Sequence, residues 1–192
     1  MPSAKYRTPI EAGRVYHVYN RGINHQAVFP NDEDKRWFLR RFKHYLHDYA
    51  DILCYCILDN HYHFLLRIKE NPSLPSTFSR QFGKLILSYT HYFNRKYGHD
   101  GPVFHRCFKR LIVNGVVYLK TLFWYIHFNP MKHFHHKDYL RYPFSSYASY
   151  KGRDDDLLAF EEGVAVFGSI NNLLEFHDYM HEIGILEKLP ME

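Results

Sequence analysis

Residues 51–58 and 61–68 are two β-prone runs with only Asp59-Asn60 between them. Residues 51–58 read as a buried strand and 61–68 as its antiparallel partner across a tight turn. The segments around this hairpin fix the fold class. Arg14-Val15-Tyr16-His17-Val18-Tyr19-Asn20 is β-prone, with Val15, His17 and Tyr19 on one face, until Arg21-Gly22 breaks it. Asn31 can cap a helix whose first turn carries Asp32, Glu33 and Asp34, acids that suit a positive helix end. That helix keeps Phe38, Phe42, Tyr45, Leu46 and Tyr49 on one face. A second helix over about 74–97 carries Phe78, Phe82, Leu85, Tyr89, Tyr92 and Phe93 as its apolar stripe, and Gly98 stops it. A strand at about 107–113 follows. A third helix, at about 115–128, is expected to end at Asn129-Pro130.

The order β-α-β-β-α-β-α is the split βαβ, or ferredoxin-like, plan of the α+β class, with one added helix. An antiparallel sheet is expected, with helices on one face and the other face left for a ligand. Beyond Tyr142-Pro143 the pattern changes. Ser145-Ser146-Tyr147 opens a short helical stretch, and Lys151 to Asp156 reads as a linker. A small helical tail follows, with Leu173, Leu174, Phe176 and Tyr179 as its sticky residues. Residues 1–150 therefore read as one domain and 151–192 as an acidic helical extension.

Charge divides at the same place. Residues 1–150 carry 22 Lys and Arg against 10 Asp and Glu, whereas residues 151–192 carry 3 against 10. Thirteen of the 15 histidines also lie in the basic part. A basic, aromatic-rich body is suited to a polyanion and an acidic tail is not. Arg21, Arg106, Lys109 and Arg110 flank the expected open face and are the best candidates for phosphate contacts, which fix register without reading sequence. The tail is expected to dock on the body and compete with phosphate. No apolar run is long enough to span a membrane. Residues 1–7 lack the apolar core of a secretion signal. Three cysteines, with Cys54 and Cys56 too close to staple anything, point to a reducing cytoplasm.

Two constellations carry chemistry. His61 and His63 are two apart on a strand, so both imidazoles point to one face and can share a divalent metal. In a histidine-rich chain that alternation alone is a weak signal. Tyr125 and Asn129 are one helical turn apart on a stripe beside the third helix's core face. Alone, they read as a core-edge tyrosine and a helix-end asparagine before proline. Cys54 and Cys56 share a strand face and read as core. His133, His135 and His136 cluster after Pro130 and are expected to face solvent or phosphate.

Together these pieces resemble the single-tyrosine HUH transposases, most closely the REP-associated tyrosine transposase branch, from about Val15 to Tyr150. The resemblance rests on Tyr16-His17-Val18 with Asn20-Arg21-Gly22, and on Asn60-His61-Tyr62-His63-Phe64-Leu65-Leu66. It continues through Tyr92-Phe93-Asn94-Arg95-Lys96-Tyr97-Gly98 and Gly101-Pro102-Val103-Phe104, with Arg106 and Phe108-Lys109. Tyr125-Ile126-His127-Phe128-Asn129-Pro130 and Tyr142-Pro143-Phe144-Ser145-Ser146-Tyr147 complete it. It implies an HUH-nuclease-type fold, His61 and His63 as metal ligands, Asn129 as the third ligand, and Tyr125 as nucleophile. The metal would be Mg2+ or Mn2+. The reaction would be cutting and rejoining of single-stranded hairpin DNA through a 5′-phosphotyrosine link. A monomer is expected, although some relatives share active sites across a dimer. The family's usual Met-Pro-Asn-His is here Leu58-Asp59-Asn60-His61. This alters turn stiffness and adds a carboxylate without removing a ligand. Two further readings share the same face: a hairpin-binding module that does not cut, and a metal-dependent hydrolase that uses water.

Overall fold

The computed structural model describes residues 8–70, 74–133, 139–152 and 154–183. The elements run β1 (Val15–Arg21), α1 (Asp32–Leu46), β2 (Ala50–Ile57), β3 (His61–Ile68), α2 (Leu74–Tyr97), β4 (Lys109–Ile112) and α3 (Val116–Lys132). The four strands form one sheet in the order β2-β3-β1-β4, every neighbouring pair antiparallel. That is the expected mixed helix-and-sheet plan.

The register places the chemistry. Tyr19 pairs with His63, Arg21 with His61, and Cys56 with His63. His17, Tyr19, Cys54, Cys56, His61 and His63 therefore share one face, and Tyr16, Val18, Tyr62 and Phe64 share the other. Helices α1 and α2 cover the second set. Phe42 stacks on Phe64 at 4.1 Å between ring centroids, and Phe38 meets Tyr62 at 5.2 Å.

Asn31 caps α1 by accepting from the Asp34 amide at 3.1 Å. The buried Asp34 carboxylate receives Tyr92 Oη, Tyr97 Oη and Lys96 Nζ at 2.6–2.8 Å. This ties the start of α1 to the end of α2. Gly98, at φ +61°, turns the chain out of α2 in the left-handed conformation that glycine adopts without strain.

Helices are not confined to one face. Helix α3 packs across β2 and β3 on the histidine side. The reason lies in its composition: Leu122 to Pro130 are nine consecutive buried residues. A helix that is apolar all round must be covered all round, so the sheet takes one side and the tail the other. The helix also runs through Pro130 to Lys132 instead of ending at Asn129. Pro130 forfeits the amide bond to the Ile126 carbonyl, a loss that the burial of this stretch offsets, and the His133 amide still closes the helix on the Asn129 carbonyl at 3.1 Å.

The tail is pinned. Three further helices follow, α4 (Tyr147–Tyr150), α5 (Phe160–Ala165) and α6 (Ile170–Glu182). Leu173, His177 and Met180 of α6 are buried. His177 Nε2 meets His127 Nδ1 of α3 at 2.9 Å, and His127 Nε2 meets Ser146 Oγ at 2.8 Å. Asp155, expected in a loose linker, accepts from Tyr55 Oη at 2.7 Å and Ser149 Oγ at 3.1 Å. Lys43 pairs with Asp156, and Arg67 with Glu162. Backbone bonds from Ile57 to Phe144, Ser146 to Tyr55 and Ala159 to Ile52 close the outer edge of β2. Among the described residues no helix is long and apolar enough to cross a membrane.

Candidate active site

The hairpin turn sets the first histidine. Lys35, buried on α1, pairs with Asp59 at 2.7 Å, and the Asp59 carbonyl accepts from the amides of Val28 and Phe29 at 2.8 and 2.7 Å. The Asp59 carboxylate thus takes part in anchoring the turn. Asn60 Nδ2 donates to the His25 carbonyl at 3.3 Å, which leaves Oδ1 to accept from His61 Nδ1 at 2.6 Å. Because Oδ1 can only accept, His61 Nδ1 carries a proton and donates it there.

His63 is held by β1. Its Nδ1 shares a hydrogen bond with His17 Nε2 at 2.9 Å. The rings of His17, Tyr19 and His63 lie nearly parallel, with centroids 4.6–5.5 Å apart. Burial first, and then the neighbouring His61, His17, His133 and Lys132, push the His63 imidazole well below its ordinary range and keep it neutral. Its Nε2 is buried with no hydrogen-bond partner.

Helix α3 brings the second constellation to the first. The Tyr125 ring meets His63 edge-on at 6.0 Å. His133, two turns further, meets the His61 ring at 4.6 Å. Asn129 lies midway on the same stripe. It donates Nδ2 to the Tyr125 carbonyl at 2.8 Å, and its Oδ1 is buried with no hydrogen-bond partner. His133, expected to face solvent or phosphate, is instead half-buried against His61. His135 and His136 lie outside the described residues. Cys54 and Cys56 are fully buried, and burial drives both thiols well up, so they are inert core residues.

On the other side of the histidines lies a cavity of about 230 Å³, lined by Tyr19, Asn20, Arg21, His25, His61, His63, His105 and Lys109. Asn24 and His25, at φ +53° and +58°, form the tight turn beside it. Gly22 is required there, since a Cβ would come within 2.5 Å of the Gln26 carbonyl oxygen. Arg21 and Lys109 thus stand where phosphate contacts were expected. Arg106 lines a separate groove of about 900 Å³ between α2 and the 101–108 segment. Arg110, expected on the histidine face, lies on the opposite one. It pairs with Val18, its Nε donates to the Thr8 carbonyl at 2.6 Å, and its guanidinium covers Phe108. No described residue of the acidic tail lines the 230 Å³ cavity, and its described helix α6 docks on α3 through His177.

Sequence reasoning did not reach His17, Asn60 or Lys132 as site residues. Lys132 Nζ donates to Tyr125 Oη at 3.0 Å and lies 4.9 Å from the centre of its ring. A proline read as a helix stop hid it. For His17, the signal was its place on the same strand face as Tyr19, which pairs with His63.

No protein-family model and no curated protein matches the chain. Among solved structures, the chain is similar to a REP-associated tyrosine transposase bound to a REP hairpin. The TM-score is 0.59 and the identity 18%, over 82% of this chain and 95% of that one. The two share a fold.

Proposed function

We propose that this chain is a single-strand DNA transesterase of the HUH transposase kind, cutting and rejoining hairpin-bearing DNA through Tyr125. The observation that carries the reading is the convergence of one phenol with two buried polar atoms, a ring nitrogen and an amide oxygen. Tyr125 packs on His63, and His63 Nε2 and Asn129 Oδ1 are both buried without hydrogen-bond partners among the described residues. Burying a polar atom unpaired costs on the order of 1–3 kcal/mol, so such atoms are kept where something else satisfies them. His61, His63 and Asn129 would hold Mg2+ or Mn2+; the amide oxygen suits either ion, whereas imidazole nitrogens are more usual ligands of the later transition metals and favour Mn2+ of the two. When bound, the ion would polarise a phosphodiester and stabilise the departing 3′ oxygen.

The chain's own groups do the rest. Arg21 and Lys109 at the cavity would bind the phosphates flanking the scissile one. Asn60 fixes the rotation of His61 and the proton on its Nδ1, and His17 holds the rotation of His63. Tyr125 Oη would attack phosphorus, leaving a 5′-phosphotyrosine and a free 3′-OH. No water enters the bond, so the link stays available for rejoining. The similar solved transposase holds a REP hairpin, which supports single-stranded hairpin DNA as the partner here.

The test is a protein–DNA adduct that survives denaturing electrophoresis, using a library of short single-stranded hairpins with randomised flanks. Adduct from the unaltered chain and none from Tyr125→Phe supports the reading. Binding without any adduct from either favours the non-cutting module. Cleavage without adduct favours water as the nucleophile.

A further inference from the structure

We propose that Lys132 is a catalytic residue of the Tyr125 centre, acting on the phenolic oxygen and not on DNA. This deepens the function proposed above and rests on it. Three observations converge. Lys132 Nζ is 3.0 Å from Tyr125 Oη, within hydrogen-bond distance. The ammonium also lies over the tyrosine ring at 4.9 Å, so one cation serves both the face and the oxygen. The pair is seven residues apart on one helix, two turns on the same stripe, so the backbone of α3 fixes their spacing. That spacing exists only because the helix continues past Pro130.

The chemistry of the exchange calls for a cation at this atom. In cutting, an Oη–P bond forms, the P–O3′ bond breaks, the phenolic proton passes to water and the 3′ oxygen takes a proton from water. In rejoining, the 3′-OH attacks phosphorus and gives its proton to water, the P–O3′ bond re-forms, the P–Oη bond breaks, and its electron pair returns to Oη, which takes a proton from water. Charge therefore gathers on Oη in both directions, on entry as nucleophile and on exit as leaving group. An Nζ–H already aimed at that oxygen meets the charge without reorganisation, as the donors of an oxyanion hole do. Arg21 and Lys109 line the cavity on the far side of the histidines. Lys132 is the described cation whose hydrogen bond to Oη is seen.

The experiment compares the full chain with Lys132→Met and Lys132→Arg on an oligonucleotide recovered as adduct from the hairpin library. Loss of one such donor costs about 10²–10³-fold in rate. Lys132→Met should therefore slow both adduct formation and rejoining by about 100-fold, with hairpin affinity and thermal midpoint unchanged. Lys132→Arg should recover part of each rate. A substrate with sulfur in place of the bridging 3′ oxygen decides where the lysine acts. If it acts at Oη, the better leaving group leaves the Lys132→Met deficit in place. If sulfur abolishes the deficit, Lys132 protonates the 3′ oxygen and the assignment to Oη is overturned. Equal rates in Lys132→Met and the unaltered chain overturn it as well. A chain that forms no adduct with any hairpin would overturn the transesterase reading itself, which the unaltered protein reports separately.

Discussion

Tyr125 is 2% exposed, and its ring packs on His63 as well as presenting its hydroxyl. Tyr125→Phe keeps that packing and removes one oxygen. We expect it to abolish adduct while hairpin affinity, measured by gel shift, stays within about two-fold, since phosphate contacts dominate affinity. Retained adduct would move the nucleophile elsewhere, with half-buried Tyr118, seven residues earlier, next in line. The histidines give a separate test. His61→Ala or His63→Ala should eliminate cutting and weaken Mn2+ binding by calorimetry, and a chelator should stop the unaltered chain until metal is returned. Undiminished cutting in excess chelator would remove the metal from the mechanism. At this scale the sequence was legible where spacing alone places a group: alternation put His61 and His63 on one face. It was silent on His17 and Asn60, because their partners follow from register and from the turn.

At the level of elements, α3 carries two functions on opposite sides. Tyr125 and Asn129 face the histidines, while Phe123 and His127 face α6. The seam between α3 and α6 is pH-sensitive. Burial pushes His177 down to about 4, partly opposed by its bond to the Leu173 carbonyl. His127 is driven well below its ordinary range by burial and by His177. Both are neutral in the fold and accept protons more readily when unfolded, so the unfolded state gains protons as pH falls. Stability should be full above about pH 6.5 and decline from there toward pH 4. His177 alone accounts for about 3 kcal/mol of this loss at 1.36 kcal/mol per unit. Urea midpoints from pH 7.5 to 4.5 measure it, and His177→Phe should flatten the slope. An unchanged slope would mean that other groups set the acid limit. The order of elements along the chain, the two long helices and the Gly98 stop were readable from periodicity and punctuation. The course of α3 past Pro130 was not, because local propensity at a proline disfavours helix and only tertiary cover overrides it. The second covered face was missed for a related reason. An apolar-all-round helix says that it must be buried, not by what.

The whole molecule is arranged around an asymmetric sheet. One edge, β2, is sealed by the segments around Phe144, Ser146 and Ala159, and the other, β4, has four residues and borders the loop that shapes the cavity. Separate charges in sequence suggested a tail that gates the basic body, yet the tail's buried Phe167, Leu173 and Met180 sit on the back of α3. Each fully buried side chain of this size contributes roughly 1.5–3 kcal/mol, and a domain has only about 5–15 in total. Deleting residues 153–192 should therefore give an aggregating or largely unfolded chain, seen as loss of the cooperative thermal transition, and not a faster enzyme. A soluble truncation with an unchanged midpoint would refute this. The sealed edge also has a consequence in time. Synthesis proceeds from the N-terminus, and Tyr125, Asn129 and Lys132 have all been made before the chain reaches Phe144. Until the segment after it emerges, a long apolar strand faces its surroundings with its amides and carbonyls unpaired, the situation in which neighbouring chains join edge to edge. The hazard in making this protein is thus concentrated in the interval between completing its chemistry and completing its sheet. Slowing elongation after codon 144 would lengthen that interval, whereas slowing it earlier would not.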